Sequence, residues 1–309
     1  MPLDPTVKNF LNSLKSENPF DLIDKKPLSE IRSIIRNISA SAPKEEVYKI
    51  ENIKIPSEEI SIPARIYTPK DIKEPTPVLI YFHGGGFVFG DIEFADPLCR
   101  ALANACSCKV VSIEYRLAPE YKFPAAVIDA INSTKWVLDN AEKLSSNNKL
   151  VAVAGCSAGG NLAAVTALHF RNKLLYQILA YPVVSALDVF SRSYIEYDGY
   201  FLTNKLMKWF YQQYLNDQKE ILDWRVSPIL SENFENLPET LIITAEYDPL
   251  RDQAEAYASK LSESRVSVIN VRFAGTIHGF IELFHIIKQG RVAINFIGSL
   301  IKSTSKIGD

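Results

Sequence analysis

The hexapeptide Gly155-Cys156-Ser157-Ala158-Gly159-Gly160 constrains the fold of this 309-residue chain more than any other stretch. It follows an apolar run over residues 149–154, typical of a buried parallel strand, and precedes an Ala- and Leu-rich segment that favours a helix. Gly-x-Ser-x-Gly between a strand and a helix is typical of a nucleophile elbow, a turn that needs small neighbours around its serine. We therefore expect an exposed Ser157 hydroxyl at a helix N-terminus, although the pattern also occurs by chance in ordinary strand–helix turns.

A second glycine-rich stretch makes this interpretation more specific. Residues 77–82 form another apolar run of the buried-strand type, and they lead into His83-Gly84-Gly85-Gly86-Phe87. Three successive glycines expose backbone N–H groups that can converge on a developing oxyanion. The two stretches together predict an oxyanion loop that faces the serine turn.

Three further motifs accompany these two. They are Tyr-Arg-Leu-Ala-Pro-Glu at 115–120, Asp-Pro-Leu-Arg-Asp at 248–252 and His-Gly-Phe at 278–280. The five motifs, which span about residues 80–280, resemble those of the hormone-sensitive-lipase family of carboxylesterases. The resemblance implies an α/β-hydrolase fold with a helical cap. The chain departs from the family at Cys156, where Asp is usual, and at Gln253, where Glu is frequent.

The order of apolar segments predicts a mostly parallel, twisted α/β sheet flanked by helices. Strands 46–55 and 58–67 come first, and the alternating pattern of the second fits an antiparallel pair at the sheet edge. Further strands are expected at 77–82, 109–114, 149–154, 174–180, 240–245 and 267–273, with helices near 95–105, 124–139, 158–171, 250–263 and 286–302. The functional site of such a sheet lies at the carboxyl ends of its strands.

Two parts of the chain do not fit this alternation. Apolar residues at helical spacing predict one helix near residues 7–14 and another between Pro27 and Pro43. More than 50 residues after Pro182 also lack an obvious sheet strand. By the resemblance, residues 1–45 and 183–237 form the cap, and residues 46–182 and 238–309 form the catalytic domain.

An apolar helix is predicted inside the second cap segment, over residues 204–214 with Thr203 as its N-cap. Its aromatic and aliphatic residues could simply pack on their neighbours. We also expect it to line a pocket for the acyl or alcohol chain of a substrate. The predicted pocket residues are Phe87, Leu206, Trp209 and Phe210.

A serine nucleophile needs a base and a group that orients this base. Of the four histidines, His278 follows a predicted strand at the edge where Ser157 emerges, and we expect it to be the base. His169 and His285 are expected on helices, and the resemblance gives His83 a role in supporting the glycine loop.

The orienting acid is expected just after the strand that ends near residue 245. Asp248 precedes Pro249 there and completes the chain order Ser157, Asp248, His278 of α/β-hydrolases. Asp252 is better explained as a solvated or ion-paired helix carboxylate. Glu246 stays open as an alternative, because hydrolases of this fold also use Glu.

These residues predict a serine carboxylesterase acting on short to medium acyl chains. The expected oxyanion donors are the backbone N–H groups of Gly85, Gly86 and Ala158. An amidase or another acyl hydrolase would use the same three side chains. A non-catalytic binding relative would have lost the catalytic histidine, so it is disfavoured because this chain keeps His278 together with Ser157 and Asp248. A Cys156 thiol nucleophile is disfavoured as well, because only the central residue of an elbow projects into the site.

Composition limits the partners of the protein. A net charge of −2 argues against a nucleic-acid partner, and no apolar run is long enough to span a membrane. Without a signal-peptide pattern at the N-terminus, we expect a cytoplasmic enzyme. The four cysteines lack metal-ligand spacing, so neither metal nor organic cofactor is expected. The expected partner is a small-molecule ester, and a homodimer stays open.

Overall fold

Eight strands form one sheet in the computed structural model, which describes residues 1–72, 75–144 and 150–304. The strands are β1 (Lys49–Ile55), β2 (Ile62–Thr68), β3 (Val78–Phe82), β4 (Lys109–Ile113), β5 (Val151–Cys156), β6 (Tyr176–Ala180), β7 (Glu239–Tyr247) and β8 (Val268–Ile277). Their order across the sheet is β1-β2-β4-β3-β5-β6-β7-β8. β1 and β2 pair antiparallel at one edge, and the strands from β4 onward in this order pair in parallel. The predicted fold class is confirmed.

The helices lie between and around these strands. Within the described residues they are α1 (Pro5–Glu17), α2 (Leu28–Ala40), α3 (Ile92–Cys106), α4 (Ala125–Asp139), α5 (Ala158–Phe170), α6 (Arg192–Glu196), α7 (Asn204–Tyr214), α8 (Arg251–Glu263) and α9 (Lys288–Thr304). The predicted N-cap of α7 is confirmed, because the Thr203 hydroxyl accepts a hydrogen bond from Leu206 N at 3.0 Å. None of the described helices is long and apolar enough to cross a membrane.

The central strands are buried on both faces, which explains their continuous apolar sequences. In β3, Val78, Ile80 and Phe82 contribute to one hydrophobic cluster. Leu79 and Tyr81, which point the other way, contribute to a second cluster. Helices α4, α5 and α8 complete the first cluster, and α3 and α9 complete the second.

Several boundaries differ from the predictions. β2 begins at Ile62 rather than at residue 58, and Lys149 lies outside the described residues. β8 extends to Ile277, four residues beyond its predicted end, so His278 follows the strand directly. The prediction of a helix at His285 is wrong, because consecutive turns occupy residues 278–286 and α9 begins only at Lys288. The apolar residues of this segment, which resemble a helical pattern, are instead packed into the core as turns.

A buried ion pair holds the segment that follows β4. The Asp129 carboxylate on α4 is fully buried, and it accepts hydrogen bonds from the backbone N and the guanidinium of Arg116 at 2.8–3.1 Å. Arg116 belongs to the Tyr-Arg-Leu-Ala-Pro-Glu motif, so this residue of the motif has a structural role. Arg116 also pairs with Glu59 at 2.6 Å, so the loss of Asp129 would not leave the guanidinium unpaired, whereas the loss of Arg116 would leave the buried Asp129 carboxylate uncompensated.

We therefore expect Arg116→Ala, which leaves the fully buried Asp129 carboxylate without its guanidinium partner, to lower the free energy of unfolding by about 3 kcal/mol or more. Lys135→Ala is the matched control, because Lys135 pairs with Asp139 where both side chains are more than half exposed. That exposed pair should contribute about 0–1 kcal/mol. Urea unfolding of both variants checks the prediction, and equal losses would contradict it.

Candidate active site

The serine turn has the geometry of a nucleophile elbow. β5 ends at Cys156, Ser157 has the strained backbone angles φ 55° and ψ −117°, and α5 begins at Ala158. A Cβ on Gly155 would collide with the carbonyl oxygen of Gly159, and a Cβ on Gly159 would collide with that of Phe82. The glycines are therefore required because strand, turn and helix backbones approach one another so closely.

Three predicted side chains come together at the carboxyl ends of β5, β7 and β8. His278 Nε2 lies 2.9 Å from Ser157 Oγ, and His278 Nδ1 lies 2.8 Å from Asp248 Oδ2. Asp248 is fully buried, and its other carboxylate oxygen accepts from Leu250 N at 2.8 Å. The Asp248 carboxylate favours the tautomer in which His278 Nδ1 carries the proton and Nε2 accepts. His278 can therefore take the proton of Ser157 and activate it as a nucleophile.

The other histidines occupy different environments. His83 is fully buried, its Nδ1 donates to Gly84 O at 2.8 Å, and burial lowers its pKa to about 4. His169 lies near the end of α5 with its side chain exposed. His285 is exposed at the rim of the cavity that contains Ser157.

The other candidate acids also have different partners. Glu246 accepts a hydrogen bond from Gly275 N at 2.7 Å. Asp252 accepts from Ser193 N and from Arg251 Nε, both at 2.8 Å, which fits its interpretation as an ion-paired helix carboxylate. Asp248 is therefore the candidate acid that the structure brings to His278.

The glycine loop lies in the same cavity as the serine. Gly85 and Gly86 line this cavity together with Ser157, and both glycines have positive φ angles, 119° and 63°. The loop closes on itself, because Phe89 N donates to Gly85 O at 2.8 Å. Ala158, the third predicted donor, is buried at the first position of α5, where its N–H is free of intrahelical partners.

The cavity has a mostly apolar lining from both predicted cap segments. Three of the four predicted pocket residues line it, namely Phe87, Leu206 and Phe210. Trp209 does not line it, because its indole stacks on Phe89 and contacts the edge of Phe210 from behind. Lining residues that the sequence interpretation missed include Phe10, Leu14, Phe20, Ile35, Phe201, Leu202, Met207, Tyr211 and Glu282.

The two predicted cap segments contact each other at this cavity. The rings of Phe20 and Phe201 lie 5.8 Å apart, and Lys205 Nζ lies 2.8 Å from Asp24 Oδ2. These contacts join residues that are about 180 positions apart in the chain. Spacing within one segment cannot indicate such pairs, which is why the N-terminal lining residues were missed.

Neutral side chains occupy the two positions where the chain departs from the family. Cys156 is buried in the core beneath the elbow, and burial raises the pKa of its thiol. Gln253 is buried as well, and its Oε1 accepts hydrogen bonds from Val184 N and Ser185 N at 2.8 and 2.9 Å. Among the described residues, no cluster of His, Cys, Asp and Glu could hold a metal ion.

A strained serine, hydrogen-bonded through histidine to a buried aspartate at the carboxyl ends of a parallel sheet, is the arrangement of the α/β serine hydrolases. The sequence matches the family described as alpha/beta hydrolase fold over residues 79–282. The chain belongs to this family, and its resemblance to the carboxylesterases of the hormone-sensitive-lipase group is confirmed.

Similar proteins carry the names of ester hydrolases. An arylesterase of Saccharolobus solfataricus is 41% identical over 99% of this chain and 100% of that protein. A carboxylic ester hydrolase of Mycobacterium tuberculosis is 35% identical over 92% of this chain and 78% of that protein. The solved structure of a hyperthermophilic esterase from Pyrobaculum calidifontis is 42% identical, with a TM-score of 0.89 and 99% of each chain covered. The predicted enzyme class, a carboxylic ester hydrolase, is confirmed.

The geometry separates two aspartates that are four residues apart in the chain. We expect Asp248→Asn to lower kcat by on the order of 10³- to 10⁴-fold, because an amide at His278 Nδ1 favours the wrong imidazole tautomer. Asp252→Asn should lower kcat by less than about 10-fold, since Asp252 contacts Ser193 and Arg251 instead. Steady-state kinetics on one p-nitrophenyl ester distinguish them, and similar losses would contradict the assignment.

Proposed function

We propose that the protein hydrolyses carboxylic esters of short to medium acyl chains through an acyl-enzyme on Ser157. The observation that carries this proposal is the hydrogen-bonded series Ser157, His278 and Asp248, which opens onto an apolar cavity. An apolar lining suits the hydrocarbon part of an ester, whereas the few polar groups lie where the carbonyl would react.

In the first half of the reaction, Ser157 Oγ attacks the ester carbonyl carbon while His278 Nε2 takes the hydroxyl proton. The carbonyl oxygen becomes an oxyanion, which accepts hydrogen bonds from the N–H groups of Gly85, Gly86 and Ala158. Asp248 stabilises the imidazolium and keeps its orientation. The carbon–oxygen bond to the alcohol then breaks, and His278 donates the proton to the leaving alcohol.

In the second half, a water molecule attacks the acyl-enzyme. His278 takes a proton from this water, the tetrahedral intermediate forms again, and the ester bond to Ser157 breaks. The proton returns to Ser157 Oγ, and the carboxylic acid leaves. Each step uses groups of the chain and water alone.

Residues 1–45 and 183–237 act in this proposal as a cap over the catalytic residues 46–182 and 238–309. Its support is the cavity, which has lining from α1, α2 and α7 on the cap side and from Ser157 and His278 below. The amidase alternative rests on the same three side chains, and the leaving group decides between the two. The homodimer, the cytoplasmic location and the absence of a nucleic-acid partner stay predictions.

A series of p-nitrophenyl esters from acetate to palmitate tests the proposed function. We expect turnover to be highest for short and medium acyl chains and to exceed that of p-nitroacetanilide, an amide with a similar leaving group. Ser157→Ala should lower kcat by on the order of 10⁴-fold or more. Cys156→Ala is the matched neighbouring control and should keep activity, because its thiol lies in the core. An inactive but folded Cys156→Ala would overturn the mechanism.

The preference for acyl length should depend on Phe210, whose ring lines the cavity and packs against Gly86. Phe210→Ala should shift the optimum toward longer acyl chains, because it enlarges the cavity beside the oxyanion loop. Trp209→Ala is the matched control, since Trp209 packs behind this ring and should change kcat/KM similarly for all lengths. The same ester series measures both, and an unshifted optimum in Phe210→Ala would contradict the assignment.

A further inference from the structure

A carboxylate that the mechanism does not use lies beside the reacting groups. Glu282 follows His278 by four residues, in the turns between β8 and α9, and it lines the cavity that contains Ser157. Its Oε1 accepts a hydrogen bond from Gly84 N at 3.2 Å. Gly84 is the residue immediately before the two loop glycines that are proposed as oxyanion donors.

The contact between Glu282 and the loop is close. A Cβ on Gly84 would lie only 2.7 Å from Glu282 Oε1 and 3.3 Å from the carbonyl oxygen of Cys156. The glycine is therefore enclosed between the glutamate and the elbow backbone. Displacement of the carboxylate would leave room for the loop to move.

Gly84 is also held at its carbonyl group. His83 Nδ1 donates to Gly84 O at 2.8 Å, and the Tyr115 hydroxyl donates to His83 O at 2.7 Å. The Gly84 carbonyl belongs to the same peptide plane as the Gly85 N–H. Glu282 therefore fixes one peptide plane, and His83 fixes the next plane, which carries a proposed oxyanion donor.

We propose that Glu282 is a positioning residue for ester hydrolysis, because its carboxylate anchors Gly84 and thereby aims the Gly85 and Gly86 N–H groups at the oxyanion. This role rests on the proposed function. A donor that is already aimed at the developing charge needs no reorganisation during the reaction, so a fixed loop lowers the barrier. Glu282 acts through the loop and does not touch the reacting atoms itself.

The surroundings of Glu282 determine its charge. Burial raises its pKa to about 7, and the nearby His278 acts in the opposite direction. The other titratable groups around it are Cys156, Tyr81, Tyr115 and Tyr181, and burial raises the pKa of each. Because their pKa values are raised, these four groups are neutral at pH 7. Cys156 stands where the family usually has Asp, so this position places no second negative charge beside Glu282.

The sign of the pH effect follows from this pKa. Glu282 is protonated below about pH 7 and carries its charge above it. A charged carboxylate is a stronger acceptor for the Gly84 N–H than a neutral acid. The charged form therefore supports the loop better. It also lowers the free energy of unfolding, because the folded state binds the Glu282 proton more tightly than the unfolded state does. This contribution to stability is lost as pH rises toward 7.

Kinetics of Glu282→Ala, Glu282→Gln and Glu239→Gln test the inference. Glu239 is an exposed residue at the first position of β7, at the end of the sheet opposite the site, and serves as the matched control. With p-nitrophenyl butyrate, Glu282→Ala should lower kcat by about 10- to 100-fold, less than the loss of an oxyanion donor itself, and change KM by less than about 3-fold. Glu239→Gln should match the wild type.

The isosteric variant separates positioning from packing. Glu282→Gln keeps an oxygen acceptor for Gly84, so its kcat should be close to that of the wild type at pH 6. The ratio of wild-type kcat to Glu282→Gln kcat should then rise as pH increases through about 7. At pH 8, the Glu282→Gln variant should melt at a higher temperature than the wild type.

A trifluoromethyl ketone, which forms an oxyanion on the serine, should bind Glu282→Ala more weakly than the wild type.

The outcomes distinguish this inference from the proposed function. An active wild type whose Glu282→Ala variant keeps kcat within 2-fold would overturn the positioning role alone. A pH-independent ratio for Glu282→Gln would overturn it as well, even if Glu282→Ala fails to fold. A wild type without ester turnover would overturn both.

Discussion

The close backbone contact at the serine turn is the constraint on which the site depends. Because Gly155 and Gly159 lack Cβ atoms, β5 can turn directly into α5 beneath the carbonyl of Phe82 at the end of β3. This contact places the serine beside the loop that follows β3, so the nucleophile and the proposed oxyanion donors have their relative positions set by main-chain packing. The side chains of His278 and Asp248 then arrive from the ends of neighbouring parallel strands.

The sequence alone predicted the features that leave a pattern in short stretches of the chain. The apolar runs of β3 and β5, the elbow and the Thr203 cap could be predicted because each has a recognisable pattern in consecutive residues. The association of Asp248 with His278 could also be predicted, because both follow parallel strands that end at one edge.

Other features depend on contacts that no local pattern records. The segment around His285 has apolar residues at helical intervals, but packing against the core keeps it in turns. That difference places Glu282 beside Gly84, so its position could not be inferred from the spacing to His278. Trp209 and Phe210 are adjacent in the sequence and equally apolar, yet only the ring of Phe210 faces the cavity. The Trp209 side of α7 is covered by Phe89, which lies more than 100 residues away in the chain.

The hydrogen bonds of Asp252 have a consequence for how such a chain can diversify. Asp252 accepts from Ser193 N, and the Ser193 hydroxyl donates to Pro249 O at 3.0 Å, so α6 is joined to the turn that carries Asp248. Arg32 on α2 forms a comparable junction, because it donates to the carbonyl oxygens of Val88 and Ala118. A segment exchanged with that of a relative would keep these hydrogen bonds only if it carried matching residues at the two junctions.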